Sequence, residues 1–500
     1  MMLLHLQRIA VPFEYPVYFT EGVFSPSNAD LAAAIAAKEP RRRHRVLPVI
    51  DGGVAAAWPS LADDIARYMG ARPDLLTLAA EPIVVPGGEA AKNDGAATAA
   101  LQARLDALGM DRQSFVMIVG GGAVLDMVGY AAATVHRGVR VVRVPTTVLA
   151  QADSGVGVKN GVNAFGKKNL LGTFAPPFAV LIDPRFLETL PLRDKVAGMA
   201  EAVKVALIRD ARLFSWLSEH APALASGSLA PLAQLVRRSA EIHLQHIASA
   251  GDPFELGSAR PLDFGHWAAH KLESLTKHRL RHGEAVAIGI AIDTLYAELA
   301  GLCSQATAAA VVAALEALGF TLWDDALALT RTCERGERGE RGERLCVLDG
   351  LDEFREHLGG ELTVTLLEDV GRAREVHAME ERHIVAAIAR LRERAARRGA
   401  LAATGAAGAA TGTAGTATGA AGVATGAAGA ATGAAGAATG AAGAATGAAG
   451  AATGAAGAAT GAAGAATGAA GAATGAAGVA TGAAGTAMGA AGVATGAAQS

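Results

Sequence analysis

Over the first third of the chain, short runs of large apolar residues alternate with stretches whose apolar positions recur every three or four residues. "RVLPVID" (45–51) predicts a strand ending at Asp51, and "EPIVVPGGEAAKND" (81–94) a strand, a turn and a helix start. "SFVMIVGGGAVLDMVGYAAATV" (114–135) predicts a strand, a glycine turn and a long apolar helix, and "VRVVRVPTT" (139–147) another buried strand. Strands followed by helices in this rhythm predict a parallel sheet with helices on both faces, an α/β domain over 1–184. After Pro184 the pattern becomes amphipathic and helical, in 192–221, 229–251 and the histidine-rich segment from 261, so a mostly α-helical domain is expected over 185–399. "ELTVTLLEDVG" (361–371) is a late strand and "EERHIVAAIARLRERAARR" (380–398) the last helix. "CERGERGERGERL" (333–345) is a charged repeat, expected to be a solvated loop insertion.

From about Ala400 the pattern disappears. The last hundred positions repeat a seven-residue Ala/Gly/Thr unit of the type "ATGAAGA", and every Lys, Arg, Asp and Glu lies before them. With no large side chain to bury and frequent glycine, 400–500 is expected to be a disordered low-complexity tail. A coiled coil would need bulky seam residues that alanine does not supply. The net charge of −3 gives no reason to expect nucleic acid or an anionic membrane as partner. No stretch carries the large apolar residues of a membrane span. Cys303, Cys333 and Cys346 are too few and too irregular for a disulfide framework. The opening "MMLLHLQRIAVPFEYPVYFT" lacks the layout of a secretory signal, so a cytoplasmic location is the default, with organelle import left open.

Ligands on parallel sheets bind at the strands' C-terminal ends. There lie Asp51, the glycines Gly120, Gly121 and Gly122, and Thr146 and Thr147. Glycine lets backbone amides approach a pyrophosphate, and the helix N-terminus favours its charge, although the spacing is not G-x-G-x-x-G. Asp126 in the helix, with Glu89 and Lys92 in "PGGEAAKND", is a further candidate cofactor contact; a surface pair is the plainer alternative. The run 146–169 holds Lys159, Asn163, Lys168 and Asn169, donors suited to a phosphate, with Asp153 its only carboxylate. His266 and His270 share a helix face, His282 opens the next helix, and Glu201 sits in an apolar helical setting. One carboxylate and two imidazoles suit a catalytic zinc, but spacing does not say which two histidines bind it.

Taken together, "GGGAVLDMVGYAAATVHRG", "PTTVLAQADSGVGVKNGVNAFGKKNLLGTFAPP", "GMAEAVK", "DFGHWAAH" and "RHGEAV" resemble, in order, the sugar phosphate cyclases of the 3-dehydroquinate synthase-like branch. The resemblance implies a lyase dependent on NAD+ and a divalent metal, zinc or else cobalt. Such an enzyme eliminates phosphate from a seven-carbon sugar phosphate and closes the ring by an intramolecular aldol step. It implies Glu201, His266 and His282 as metal ligands and His270 in proton transfer. Lys204, Asp153 and Lys159 would also be catalytic, with Lys168, Asn169, Asn163 and Arg260 on the substrate. Arg137 would reach in from a partner subunit, so a homodimer is implied. The chain departs from the family at Asp263, where Asn is usual, in "IHLQHIAS" (242–249), which lacks a lysine, and in "FREHLGG" (354–360), where Arg355 or His357 would replace a lysine. The competing readings are a metal-dependent polyol dehydrogenase of the same superfamily and a scaffold paralogue that has lost turnover.

Overall fold

The computed structural model describes residues 4–9, 11–93, 95–165, 167–249, 263–335, 340–357 and 360–406, and the strands of the repeat between 409 and 495. Two compact units emerge, Met1–Leu391 and Arg392–Ser500.

The first unit is built on a parallel sheet. Its spatial order is Val17–Phe19, Ala179–Ile182, Arg140–Pro145, Phe115–Gly120, His44–Asp51 and Leu76–Leu78, with Ile83–Val85 also pairing His44–Asp51. Successive side chains enter different cores, as a strand's period of two requires. Val46 and Ile50, with Phe115, Met117 and Val119, fill one. Leu47 and Val49, with Val116 and Ile118, fill the other. Both faces are therefore covered, which is why these strands are largely apolar rather than alternating with polar residues, with Arg143 a buried exception. The glycine turn ends the Phe115–Gly120 strand and opens the helix Gly122–Thr134.

Beyond Ile182 the chain is mainly helical, with Ala200–Arg209, Leu229–Ser249, His266–Leu275 and His282–Leu299 surrounding a third core centred on Trp267, Phe264 and Ile288. The last two of these helices meet backbone to backbone. Gly265, at φ +79° in the left-handed region, faces Ile290 N, which a Cβ would approach to 2.5 Å. A Cβ on Gly289 would overlap the Gly265 carbonyl. Among the described residues no helix is long and apolar enough to cross a membrane.

Two segments differ from expectation. The charged insertion forms an antiparallel hairpin, Thr330–Arg335 against Glu340–Leu345, instead of a loop. Its base is tied down because Arg331 and Arg344 both donate to the Asp349 carboxylate. Where composition led us to expect a disordered tail, the described backbone runs in strands. Each mostly five-residue strand, such as Ala435–Thr439, pairs in parallel with Ala449–Thr453, fourteen residues on. Two heptads make one coil, and identical residues fall in register. Pairing with a copy of itself satisfies the backbone without a large side chain.

Gly289→Ala is expected to lower stability by about 1–3 kcal/mol, because the two backbones cannot both stay in place. Gly70→Ala, with open space around its Cβ, should leave the urea unfolding midpoint nearly unchanged.

Candidate metal and nucleotide cleft

A cleft of about 360 Å³ lies where the sheet's C-terminal ends face the helices. Its lining brings together fourteen of the residues singled out above: Glu89, Lys92, Gly122, Asp126, Asp153, Lys159, Lys168, Asn169, Glu201, Lys204, Asp263, His266, His270 and His282.

Glu201 is buried in the first turn of its helix. Its Oε1 lies 3.4 Å from His266 Nε2 and 3.2 Å from His282 Nε2, and the Lys204 ammonium touches its Oε2. Burial opposes the carboxylate's charge, but Lys204 and the imidazoles hold its pKa well below the usual range. Neither oxygen has a well-aligned hydrogen-bond donor among the described residues. The ligand atoms of Glu201, His266 and His282 lie within 4.8 Å of one another. A buried carboxylate and two imidazole nitrogens so placed are a fitting donor set for a divalent cation.

The outer nitrogens of both histidines are occupied, which orients the rings. His266 Nδ1 is 3.2 Å from the Phe264 carbonyl, and His282 Nδ1 is 3.1 Å from Glu273 Oε2. Burial works against a charge on His282, yet Glu201 and Glu273 on its two sides push its pKa up to about 9. Asp293 fixes the start of the His266 helix by accepting from Gly265 N at 2.9 Å and Trp267 Nε1 at 2.8 Å. Its burial pushes the carboxyl up to about 7 despite those two donors. His270 opens to the cleft one turn along, its ring centroid 5.5 Å from that of His266. Surrounding protein and then the two neighbouring imidazoles depress its pKa.

Opposite stands the hairpin Lys159–Ala164 and Lys167–Phe174. Its root is held by Arg143, fully buried, which donates to the carbonyls of Gly155 (3.1 Å), Gly157 (2.7 Å) and Lys159 (3.2 Å) and to Asn160 Oδ1 (2.7 Å). Asn169 sits at φ +52°, a conformation asparagine tolerates. Its backbone N–H donates to Asn163 Oδ1 at 2.8 Å. Asn163 itself donates to Glu89 and Asn93 and does not line the cleft, so its place is in bracing the bend. Asp153 closes a π-helical turn, Ala150–Ser154, with its Oδ1 3.1 Å from His243 Nδ1. Such turns recur at functional sites.

At the strand ends the glycines make a cradle. A Cβ on Gly122 would come within 2.7 Å of Ser154 Oγ, and one on Gly121 within 3.1 Å of Thr147 Cγ2. Asp51 caps the next helix through Gly53 N at 2.8 Å and packs beneath Gly120 and Gly121. Thr146 Oγ1 and Ser154 Oγ are buried without a hydrogen-bond partner among the described residues. Glycines at a helix N-terminus beside orphaned hydroxyls fit a dinucleotide pyrophosphate, with the Gly121 amide turned at 3.5 Å toward Asp51 Oδ2. Lys92 is buried and bonds to Asp126 at 2.8 Å, so it is not the surface partner of Glu89.

Arg137 is exposed, at φ +61°, and does not line this cleft. Arg260 lies outside the described residues. Arg355 is exposed and pairs with Asp352, and it is Phe354 that faces the cleft. The side chain of His357 also lies outside the described residues. Sequence reasoning passed over Glu273, His243, Arg143 and Asp293. Glu273 had a usable signal, three residues after His270 on the same helix face, and so did Arg143, a charge inside a buried strand.

The 3-dehydroquinate synthase N-terminal family model matches residues 82–197, and the C-terminal one matches residues 198–337. A 2-epi-5-epi-valiolone synthase from Streptomyces glaucescens is 37% identical over 314 residues, 63% of this chain and 77% of that protein. The chain belongs to the 3-dehydroquinate synthase family. A 3-dehydroquinate synthase from Ruegeria sp. (strain TM1040) is 43% identical over 241 residues, 48% of this chain and 64% of that protein's length. A 2-epi-5-epi-valiolone synthase from Streptomyces hygroscopicus subsp. jinggangensis, solved with NAD+ and Zn2+ bound, superposes with a TM-score of 0.66 at 29% identity. That match covers 78% of this chain and all of the other.

Replacing Glu201, His266 or His282 with Ala should reduce bound zinc from about one per chain to near zero, whereas His270→Ala should retain it. Plasma emission spectrometry of the purified variants checks this. Equal metal loss in all four variants would defeat the assignment.

Proposed function

We propose that the protein is a sugar phosphate cyclase, a carbon–oxygen lyase that eliminates phosphate from a seven-carbon sugar phosphate and closes the ring by an intramolecular aldol step. The observation carrying this reading is the convergence in one cleft of a cation-binding triad, Gly122 of the glycine turn and a hairpin bearing lysines and asparagine. When bound, NAD+ supplies a reversible hydride acceptor and the metal ion a Lewis acid for the reacting hydroxyl and ketone.

The chain's own residues supply the rest. Glu201, His266 and His282 hold the cation, and Gly121, Gly122, Asp51, Thr146 and Thr147 hold the nucleotide, with Glu89, Lys92 and Asp126 at its side. Lys159, Lys168 and Asn169 fix the phosphate so that its departure needs little reorganisation. His270 takes a proton at a ring nitrogen, and Asp153, 3.1 Å from His243, is a second group for proton transfer. Lys204 donates hydrogen bonds to a substrate oxygen. Burial disfavours its charge, but Glu201, then Asp153 and Asp263, raise its pKa. Because those carboxylates already surround Lys204, the cleft favours a substrate whose only anion is its phosphate, such as sedoheptulose 7-phosphate. The working form is a homodimer in which Arg137, exposed on its own subunit, enters the partner's cleft.

Incubation with NAD+, Zn2+ and each of sedoheptulose 7-phosphate and the carboxylated dehydroquinate precursor should release inorganic phosphate, faster from the former, without accumulation of NADH. Net NADH formation would identify a dehydrogenase instead. Lys168→Ala or Asn169→Ala should lower kcat/KM by about 10²-fold.

A further inference from the structure

Glu273 links the cation triad to the phosphate hairpin. Its side chain is buried, with Oε2 3.1 Å from His282 Nδ1 and Oε1 2.9 Å from Lys168 Nζ. Lys168 also reaches Oε2, at 3.3 Å. His282 presents its other nitrogen to Glu201 at 3.2 Å. The result is an unbroken polar chain, Glu201–His282–Glu273–Lys168, across the cleft. His270, Glu273 and His282 also lie within 4.8 Å of one another, but that group shares His282 with the triad and does not form an independent site.

We propose that Glu273 is a positioning residue that couples cation binding at Glu201, His266 and His282 to phosphate binding at Lys168, each ligand tightening the other. The inference rests on the reading that the triad holds a divalent metal and the hairpin a phosphate. An imidazole that offers Nε2 to a cation keeps its proton on Nδ1, and that N–H then donates to Glu273. The cation strengthens this bond and draws the carboxylate's charge toward His282. Lys168, held less tightly, turns its ammonium to the phosphate. A phosphate that takes Lys168 leaves Glu273 to serve His282 alone, which favours the cation. The two effects are one coupling free energy and must be equal in both directions.

The test uses the full chain stripped of metal. Zn2+ affinity is measured by competition against a chromophoric chelator, with and without inorganic phosphate, and phosphate affinity with and without Zn2+. In the wild type each ligand should tighten the other by about fivefold or more. Glu273→Gln keeps an acceptor for His282 but sets an amide N–H₂ against Lys168. It should weaken Zn2+ binding by about 10- to 100-fold and remove the coupling. Lys168→Ala frees Glu273 for His282 as bound phosphate does, so it should tighten phosphate-free Zn2+ binding about as much as phosphate tightens it in the wild type, and lose the coupling. Melting temperatures establish that each variant is folded, and Lys168, 29% exposed on the hairpin, carries the test alone if the Glu273 variant does not fold. Coupling of equal size in wild type and Lys168→Ala would mean that phosphate binds the metal directly and would overturn the proposal. So would a folded Glu273→Gln with wild-type Zn2+ affinity. Absence of Zn2+ uptake by the wild type would sink the metal reading itself. Absence of phosphate release in the turnover assay, with coupling intact, would sink only the cyclase reading.

Discussion

A carboxylate inside a helical core remains charged only where enough positive charge and hydrogen-bonding partners surround it, and Glu201 is the group on which this cleft turns. Lys204, three residues along the same helix, supplies one countercharge, and two imidazoles from separate helices face its other oxygen. Each imidazole is in turn held from behind, by the Phe264 carbonyl or by Glu273. These layers leave little freedom for the rings, as a metal site requires if its geometry is to be set before the ion arrives.

The packing of the helices serves the same end. Gly265 and Gly289 let two backbones touch, and Asp293 bonds on both sides of His266. The His266 ring is therefore placed by backbone contact, which is stiffer than side-chain packing. Across the cleft Arg143 does comparable work for the hairpin by collecting three carbonyls and an asparagine. A buried guanidinium is costly unless its donors are used, and here four acceptors receive its two terminal nitrogens, while Nε has no partner among the described residues. The flexible-looking run of Gly, Asn and Lys is thereby given one conformation.

Much of this was legible along the chain. The strands His44–Asp51, Phe115–Gly120 and Arg140–Pro145 fall where apolar runs predicted them. Most of the polar residues singled out from motifs do converge on one cleft. Illegible were the residues whose role is to hold others. His243 and Asp293 look like ordinary helix residues in one dimension, because a hydrogen bond between elements leaves no periodic trace. The glutamate–arginine insertion and the Ala/Gly/Thr repeat were hard to judge for a related reason. Both pair strand to strand through the backbone, and composition reports mainly on side chains.

The sequence by itself determined the element types of the sheet and of the helices that follow it, the two-sided burial of the sheet and the chemical inventory of the cleft, since each follows from local periodicity and residue type. It left open which two of three neighbouring histidines face Glu201. Only the tertiary structure decided that, by setting three helices so that the Nε2 atoms of His266 and His282 meet one carboxylate oxygen. It also decided that Asn163 braces a bend, that Arg137 stands outside its own cleft, and that Lys92 lies buried against Asp126. The physical reason is the same in each case. Charges and hydrogen bonds act through space over a few ångströms, and only the packing of elements distant in sequence fixes which groups come that close.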